Sequence, residues 1–97
     1  MKYNLPERVL KDISAFALKH GIERVVLFGS RARGTNTERS DIDIAVSGGN
    51  FEGFYLDIKE KTYSLLSFDI VDLGPGVSDE LMRAIETEGV VIYEKAR

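Results

Sequence analysis

The sequence contains no cysteine and a single histidine, and no apolar stretch of the signal-peptide type stands near its N-terminus. Without cysteine there can be neither a disulfide framework nor a thiolate metal site. Without a signal peptide we expect the chain to stay in the cytoplasm. The histidine, His20, precedes Gly21 at the predicted end of a helix, so we interpret it as a helix-terminal residue and not as a catalytic base.

Positive charge is also scarce, since the 13 lysines and arginines are outnumbered by 16 acidic residues and the net charge is −3. A protein that grips a long nucleic acid normally carries a basic surface that displaces phosphate counterions. A polynucleotide substrate is therefore disfavoured. The composition, 43% hydrophobic and 30% charged, is that of a globular protein and argues against disorder and against a membrane protein. A length of 97 residues predicts one domain, residues 1–97.

The strongest chemical pattern lies in residues 25–43. An apolar run rich in β-branched and aromatic residues ends at Gly29 and Ser30, and Asp41 follows Ser30 after ten intervening residues. A glycine at the end of a buried strand lets backbone amides and a hydroxyl approach a ligand closely. In the next predicted strand the period of two places Asp41 and Asp43 on the same face. The pattern predicts two carboxylates beside a tight turn.

Two carboxylates on one face repel each other, so they normally face water or hold a cation. Mg²⁺ fits best, because it is a hard ion that prefers carboxylate oxygens and completes its shell with substrate phosphates. Arg31, Arg33 and Gly34 add guanidinium groups and a flexible backbone where an anion would lie. A bare Asp-x-Asp would indicate no more than an edge strand with solvated acids. The combination predicts a phosphate and metal site.

These residues resemble a known family. Gly29–Ser30, the Arg31–Gly34 segment and Ser40–Asp43 together resemble the nucleotidyltransferase signature of the DNA polymerase beta superfamily. The remainder, including residues 68–73 and 85–93, is similar to the minimal nucleotidyltransferases usually encoded beside a HEPN-domain partner. The resemblance covers nearly the whole chain. It implies transfer of a nucleoside monophosphate, AMP from ATP, to a hydroxyl group.

The resemblance also implies a set of site residues. Two Mg²⁺ ions would be held by three carboxylates, which would also be the catalytic residues: Asp41, Asp43 and Asp69. The nucleotide phosphates would be bound by a second group: Gly29, Ser30, Arg31 and Arg33. Either arginine could neutralise the leaving pyrophosphate.

The third carboxylate can be Asp69 or Asp72 on periodicity alone. Their odd separation puts them on opposite faces of the strand predicted over residues 67–73, and both faces are mixed in polarity. The position of the family's third carboxylate, by resemblance, is that of Asp69.

The acceptor has three interpretations. The family implies that the chain is an antitoxin that adenylylates a HEPN-domain toxin on a tyrosine. A second interpretation is an antitoxin that silences its partner by covering it, whether or not the transferase site works. A third, adenylylation of an antibiotic, needs an acceptor pocket for which a chain of this size has hardly any room. The sequence leaves the oligomeric state open, homo- or hetero-oligomer.

The fold expected is a single-domain α/β nucleotidyltransferase fold, with a mixed sheet, helices mainly on one face and the aspartate face open. The aromatic residues Phe54 and Tyr55 are predicted to pack in the core more readily than to stack on adenine. The strand before and the strand after the second helix are predicted to be parallel. The predicted elements, in order, are helix 5–19 with Asn4 as N-cap, strand 22–28, loop 30–39 with a possible helical turn, strand 41–47, helix 51–66, strand 67–73, helix 78–88 and strand 90–93.

Overall fold

In a computed structural model of the chain, residues 5–37, 39–62 and 66–96 are described. Helices and strands alternate along almost the whole of this length. The elements are α1 (Glu7–Lys19), β1 (Arg24–Phe28), α2 (Ser30–Arg33), β2 (Ile42–Ser47), α3 (Phe51–Lys61), β3 (Phe68–Asp72), α4 (Asp79–Glu88) and β4 (Val90–Glu94).

The strands form one four-stranded mixed sheet in the order β3-β2-β1-β4. The central strand β1 is antiparallel to both β2 and β4, whereas β2 and β3 are parallel. The parallel pairing follows from the helical crossover through α3, as the sequence predicted. The mixed sheet is confirmed.

One face of the sheet carries the larger core. Alternate residues of β1 and β2 point to this face and meet the apolar sides of α1 and α3. Complete burial of one such aliphatic side chain stabilises the fold by about 1.5–3 kcal/mol. The fully buried members of this core are Ile13, Ala17, Ile22, Val25, Leu27, Ile42, Ile44, Val46 and Phe54. Phe54 is therefore a core residue, as predicted, whereas the same prediction is wrong for Tyr55, which is 38% exposed.

The opposite face carries a smaller core under α4. Ile85 of α4 packs on Val26 and Ala45, and Phe28 and Leu81 lie against this group. The aspartate face is thus less open than predicted. The physical reason is that two apolar residues of the sheet also point to this face, and α4 removes them from water. The helices still lie mainly on one side, with α1 and α3 on the larger core.

Two element ends differ from the predictions. Helix α1 begins at Glu7 with Pro6 in the cap position, and the predicted cap Asn4 lies outside the described residues. Helix α3 ends at Lys61 and not at residue 66, because Thr62 takes an extended conformation. The other boundaries lie within two residues of the predicted ones. In the part of the chain that the structure describes, no helix is long and apolar enough to cross a membrane.

His20 joins the two helices of the larger core. Its Nε2 lies 2.7 Å from Oδ2 of Asp57 on α3, and the Asp57 side chain is only 9% exposed. Nζ of Lys19 and Nζ of Lys61 each lie 3.1 Å from the same carboxylate. Gly53 makes the approach possible, since a Cβ there would lie 2.6 Å from the imidazole ring. His20 ends α1 as predicted, and it also fastens α1 to α3.

We expect Asp57→Asn to lower the free energy of unfolding near neutral pH. The hydrogen bond from His20, followed by those from Lys61 and Lys19, holds the pKa of Asp57 well below its usual value of 3.8. An acid with a lowered pKa contributes stability that is present above its usual pKa and is lost as the pH falls. Urea denaturation at about pH 7 and about pH 3 should therefore show a difference between parent and variant that shrinks at the lower pH. Glu60→Gln on the same helix is the control, and an equal loss in both variants would contradict the prediction.

Candidate active site

The site begins at the turn that follows β1. Gly29 has φ 75° and ψ −158°, a conformation open to glycine alone, and α2 starts at the next residue. A Cβ on Gly29 would overlap Oδ2 of Asp43. Glycine is needed here because the backbone of the turn lies directly against the Asp43 carboxylate. The sequence predicted that Gly29 lets the backbone approach a ligand closely. In the structure the backbone at Gly29 approaches a side chain of the protein itself, the Asp43 carboxylate.

Two of the three predicted carboxylates, Asp43 and Asp69, lie together on the α4 face of the sheet, and the charge of Asp41 acts on Asp43. Asp43 is paired with Phe28 of β1 on one side and with Asp69 of β3 on the other. Paired residues of neighbouring strands point to the same face, so Asp43 and Asp69 are neighbours. Asp41 stands just before β2 and is exposed. The structure brings these three predicted residues into one cluster.

The register separates Asp69 from Asp72. Asp72 is paired with Val46, whose side chain lies in the larger core, and so it points away from Asp43. Periodicity within β3 left the choice open, because each face of this strand carries one aspartate. The pairing with β2 supplies the missing information. Whether Asp69 binds a metal stays a prediction.

Burial and the neighbouring charges shift the pKa of Asp43. Its side chain is half-buried, and burial raises its pKa above the usual 3.8. The negative charges of Asp69 and Asp41 raise the pKa further, and the nearby Arg33 guanidinium lowers it. A carboxylate that resists ionisation among other carboxylates is the electrostatic pattern of a cation site.

The donor set fits Mg²⁺ by its chemistry, since all three groups offer hard carboxylate oxygens. Their present arrangement is more open than a metal shell. Within residues 5–37, 39–62 and 66–96, no three acidic or histidine side chains are placed so that they could hold a metal ion as they stand.

The two arginines of α2 have different environments. Arg31 is buried, and its Nε donates a hydrogen bond of 3.1 Å to the backbone oxygen of Ser40, next to Asp41. The Arg33 side chain is 46% exposed, and its Nη1 donates to Oε2 of Glu88 at 2.7 Å. Arg31 holds the loop that leads into β2, whereas Arg33 stands at the surface of the site.

The loop between α2 and β2 is stabilised by its own side chains. The backbone N–H of Thr37 donates to Oγ of Ser40 at 2.9 Å, and the backbone N–H of Ser40 donates to the oxygen of Thr37 at 3.2 Å. Local bonds of this kind are typical of serine and threonine in loops, so this role could have been read from the sequence.

The role of Glu88 as the partner of Arg33 could not have been read from the sequence, because Glu88 stands 55 residues after Arg33. Ser30 is the first residue of α2, directly after Gly29.

Comparison with known proteins identifies the family. Residues 11–97 match the family model described as "Polymerase beta, Nucleotidyltransferase". This chain belongs to that family of nucleotidyltransferases, and the predicted family, fold class and enzyme class are confirmed.

The chain is similar to particular members of the family. It is 33% identical over 99 residues to MJ0604 of Methanocaldococcus jannaschii, named as a candidate protein adenylyltransferase, with 90% of this chain and 97% of that protein covered. It resembles a chain in the crystal structure of a toxin–antitoxin with AMP-PNP, with a TM-score of 0.66 and 25% identity over 89% of this chain and 73% of that chain.

A second solved structure shows the same fold. It contains the tri-AMPylated HEPN toxin of Shewanella oneidensis in complex with its MNT antitoxin. The TM-score is 0.64 at 22% identity, with 94% of this chain and 74% of that chain covered. At this identity the likeness shows the fold alone. The predicted resemblance to the minimal nucleotidyltransferases is confirmed by the crystal structure of a mutant MntA–HpeT toxin–antitoxin, which is 27% identical with a TM-score of 0.66 over 95% of this chain and 75% of that chain.

Proposed function

We propose that this nucleotidyltransferase transfers AMP from ATP to a hydroxyl group of a partner protein, in a reaction that depends on Mg²⁺. The observation that carries the proposal is the cluster of Asp41, Asp43 and Asp69 beside the turn at Gly29. A stable fold gains nothing from three carboxylates that repel one another, so the cluster is better explained by a cationic ligand.

Each residue of the cluster has a role in this proposal. Asp41, Asp43 and Asp69 would hold one or two Mg²⁺ ions, which when bound lower the pKa of the attacking hydroxyl and neutralise phosphate charge. The hydroxyl oxygen forms a bond to the α-phosphorus of ATP, and the bond to pyrophosphate breaks. Asp69 lies on the edge strand β3, so we place it nearest the acceptor.

The phosphates of ATP would lie on the side of α2. We propose that the backbone and hydroxyl of Ser30, with the backbone of Gly29, bind the β- and γ-phosphates. Arg33 would neutralise the leaving pyrophosphate, since its exposed guanidinium stands near Asp43. Arg31 would contribute by holding the loop before Asp41 in place, because its buried guanidinium binds Ser40. This divides two roles that the sequence left open between the arginines.

We propose a HEPN-domain protein as the acceptor, and the cytoplasm as the place of the reaction. The similar solved structures support this choice, since one contains AMP-PNP with a toxin–antitoxin and another an AMPylated HEPN toxin with its antitoxin. The net charge of −3 disfavours a polynucleotide acceptor. A docked protein could bring its own hydroxyl to the carboxylate cluster and hold it there through its own interface.

The test compares two aspartates of β3. Asp69→Asn should lower the rate of AMP transfer by about a hundredfold or more, because it removes a carboxylate that faces Asp43. Asp72→Asn removes the same charge from the other face of the strand and should leave the rate within about threefold of the parent. The protein is incubated with ATP, Mg²⁺ and the product of the neighbouring gene, and intact-mass spectrometry of that product measures the transfer.

The expected result is a partner whose mass increases by whole AMP units, with the parent and with Asp72→Asn only. Equal losses in both variants would mean that the face of β3 does not matter. An unmodified partner that is still silenced by both variants would favour an antitoxin that acts by covering its toxin.

A further inference from the structure

The guanidinium of Arg33 is held by one side chain. Among the residues that the structure describes, Glu88 of α4 is its hydrogen-bond partner, with Nη1 and Oε2 2.7 Å apart. A distance this short is typical of a charge-assisted hydrogen bond. A guanidinium has five N–H donors and this bond uses one of them, so the others remain available to an anion.

The backbone at Glu88 is held in place by contacts of the residues before and after it. Three residues before it, Ile85 is buried against the sheet, with 6% of its surface exposed. Immediately after it, the N–H of Gly89 donates to the backbone oxygen of Ile85 at 2.8 Å, and Val90 is paired with Leu27 of β1. Strand β1 is the strand that ends at Gly29. The backbone of Glu88 is thereby anchored to the same strand as the proposed phosphate turn.

We propose that Glu88 is a positioning residue of the active site, which holds the Arg33 guanidinium where the triphosphate of the nucleotide binds. This inference rests on the nucleotidyl transfer proposed above. An exposed arginine loses much rotamer freedom when it binds an anion, and a partner that fixes the side chain beforehand reduces that loss. The held position is beside the proposed phosphate turn, since Arg33 lies on α2, which starts directly after Gly29.

A masking role for Glu88 would have the opposite effect on the binding of an anion. Its negative charge could mask Arg33, and the triphosphate would then have to displace it. The two roles predict opposite signs. Removing a masking charge strengthens the binding of an anion, whereas removing a positioning group weakens it even though a negative charge has been lost.

Calorimetry of the full chain with Mg²⁺ and a non-hydrolysable ATP analogue distinguishes these roles. We expect Glu88→Ala to weaken binding by about five- to tenfold, and Glu88→Gln to stay within about twofold, because the amide oxygen still accepts the hydrogen bond. Glu86→Ala, which removes an exposed acid from the same helix, should leave the Kd within about twofold of the parent. The same order is expected in the KM for ATP, and kcat should also fall for Glu88→Ala because Arg33 neutralises the leaving pyrophosphate.

A double-mutant cycle tests whether Glu88 acts through Arg33. Arg33→Ala alone should weaken binding at least as much as Glu88→Ala does, and the double variant should bind no more weakly than Arg33→Ala. Tighter binding by Glu88→Ala, unchanged binding, or additive losses in the cycle would each overturn the inference. A parent protein that binds no analogue would instead count against the proposed nucleotidyl transfer, and thermal unfolding of each variant checks that it is folded.

Discussion

Asp43→Asn is expected to reduce nucleotidyl transfer by about a thousandfold, a loss of roughly 4 kcal/mol of transition-state stabilisation. Asp43 is the central member of the carboxylate cluster. Asp69 is its neighbour on the adjacent strand β3, and Asp41 stands two residues before it in the chain. Asparagine keeps the size of the side chain and removes its charge. Transfer to the partner protein, followed by intact mass over time, measures the loss.

The same substitution is expected to raise the unfolding temperature of the metal-free protein. The pKa of Asp43 is raised in the folded state, so folding disfavours its charged form. For an acid with a raised pKa, the free-energy penalty of charging the group in the folded protein is absent below the usual pKa of 3.8 and fully present above the raised pKa. The parent therefore loses stability relative to the variant as the pH increases through this window. Asp72→Asn, outside the cluster, is the control. A destabilised Asp43→Asn protein in metal-free buffer would contradict this assignment of the repulsion.

Gly29→Ala should abolish transfer for a steric reason. The new methyl group would overlap the carboxylate of Asp43, and the backbone would keep a positive φ of 75° that side chains rarely adopt. The backbone strain alone costs about 1–3 kcal/mol. Denaturation in urea measures the loss of stability, and the transfer assay measures the loss of activity.

Gly21→Ala is the matched control for Gly29→Ala. Gly21 also has a positive φ, 67°, but a Cβ there would meet nothing within 4 Å. We expect this variant to lose stability through backbone strain and to keep its activity. If Gly29→Ala is destabilised through the overlap with Asp43, adding Asp43→Ala should restore part of the lost stability. Strictly additive losses would show that the two residues do not clash.

The sequence predicted those parts of the site that depend on local spacing. The end of a strand before Gly29 follows from residue types and stands where it was expected, and Asp43 lies in the next strand as the period of two predicted. The boundary of α3 was predicted too far along the chain, because apolar spacing continues beyond Lys61 while the helix does not. Local pattern determines the type of an element better than its end.

The remaining features depend on pairing between distant segments. The choice between Asp69 and Asp72 needed the register of β3 on β2, which no pattern within β3 contains. The different environments of Arg31 and Arg33 needed the position of Glu88, which arrives with α4. His20 was assigned correctly to a helix end, yet its bond to Asp57 became visible only when α1 and α3 were packed together.

The order of contacts along the chain bears on how the carboxylate cluster is assembled during folding. Gly29 and Asp43 belong to strands joined by a short connection and paired antiparallel, so their contact closes a small loop. Asp69 reaches them only after the chain has passed through α3 and has formed a parallel pair at the edge of the sheet. Because closing a longer loop costs more entropy, this pairing is the slower of the two to form. In a chain whose β3 has not yet docked, Asp43 stands without the neighbouring carboxylate of Asp69, so the acidic cluster is completed only when the parallel pair forms.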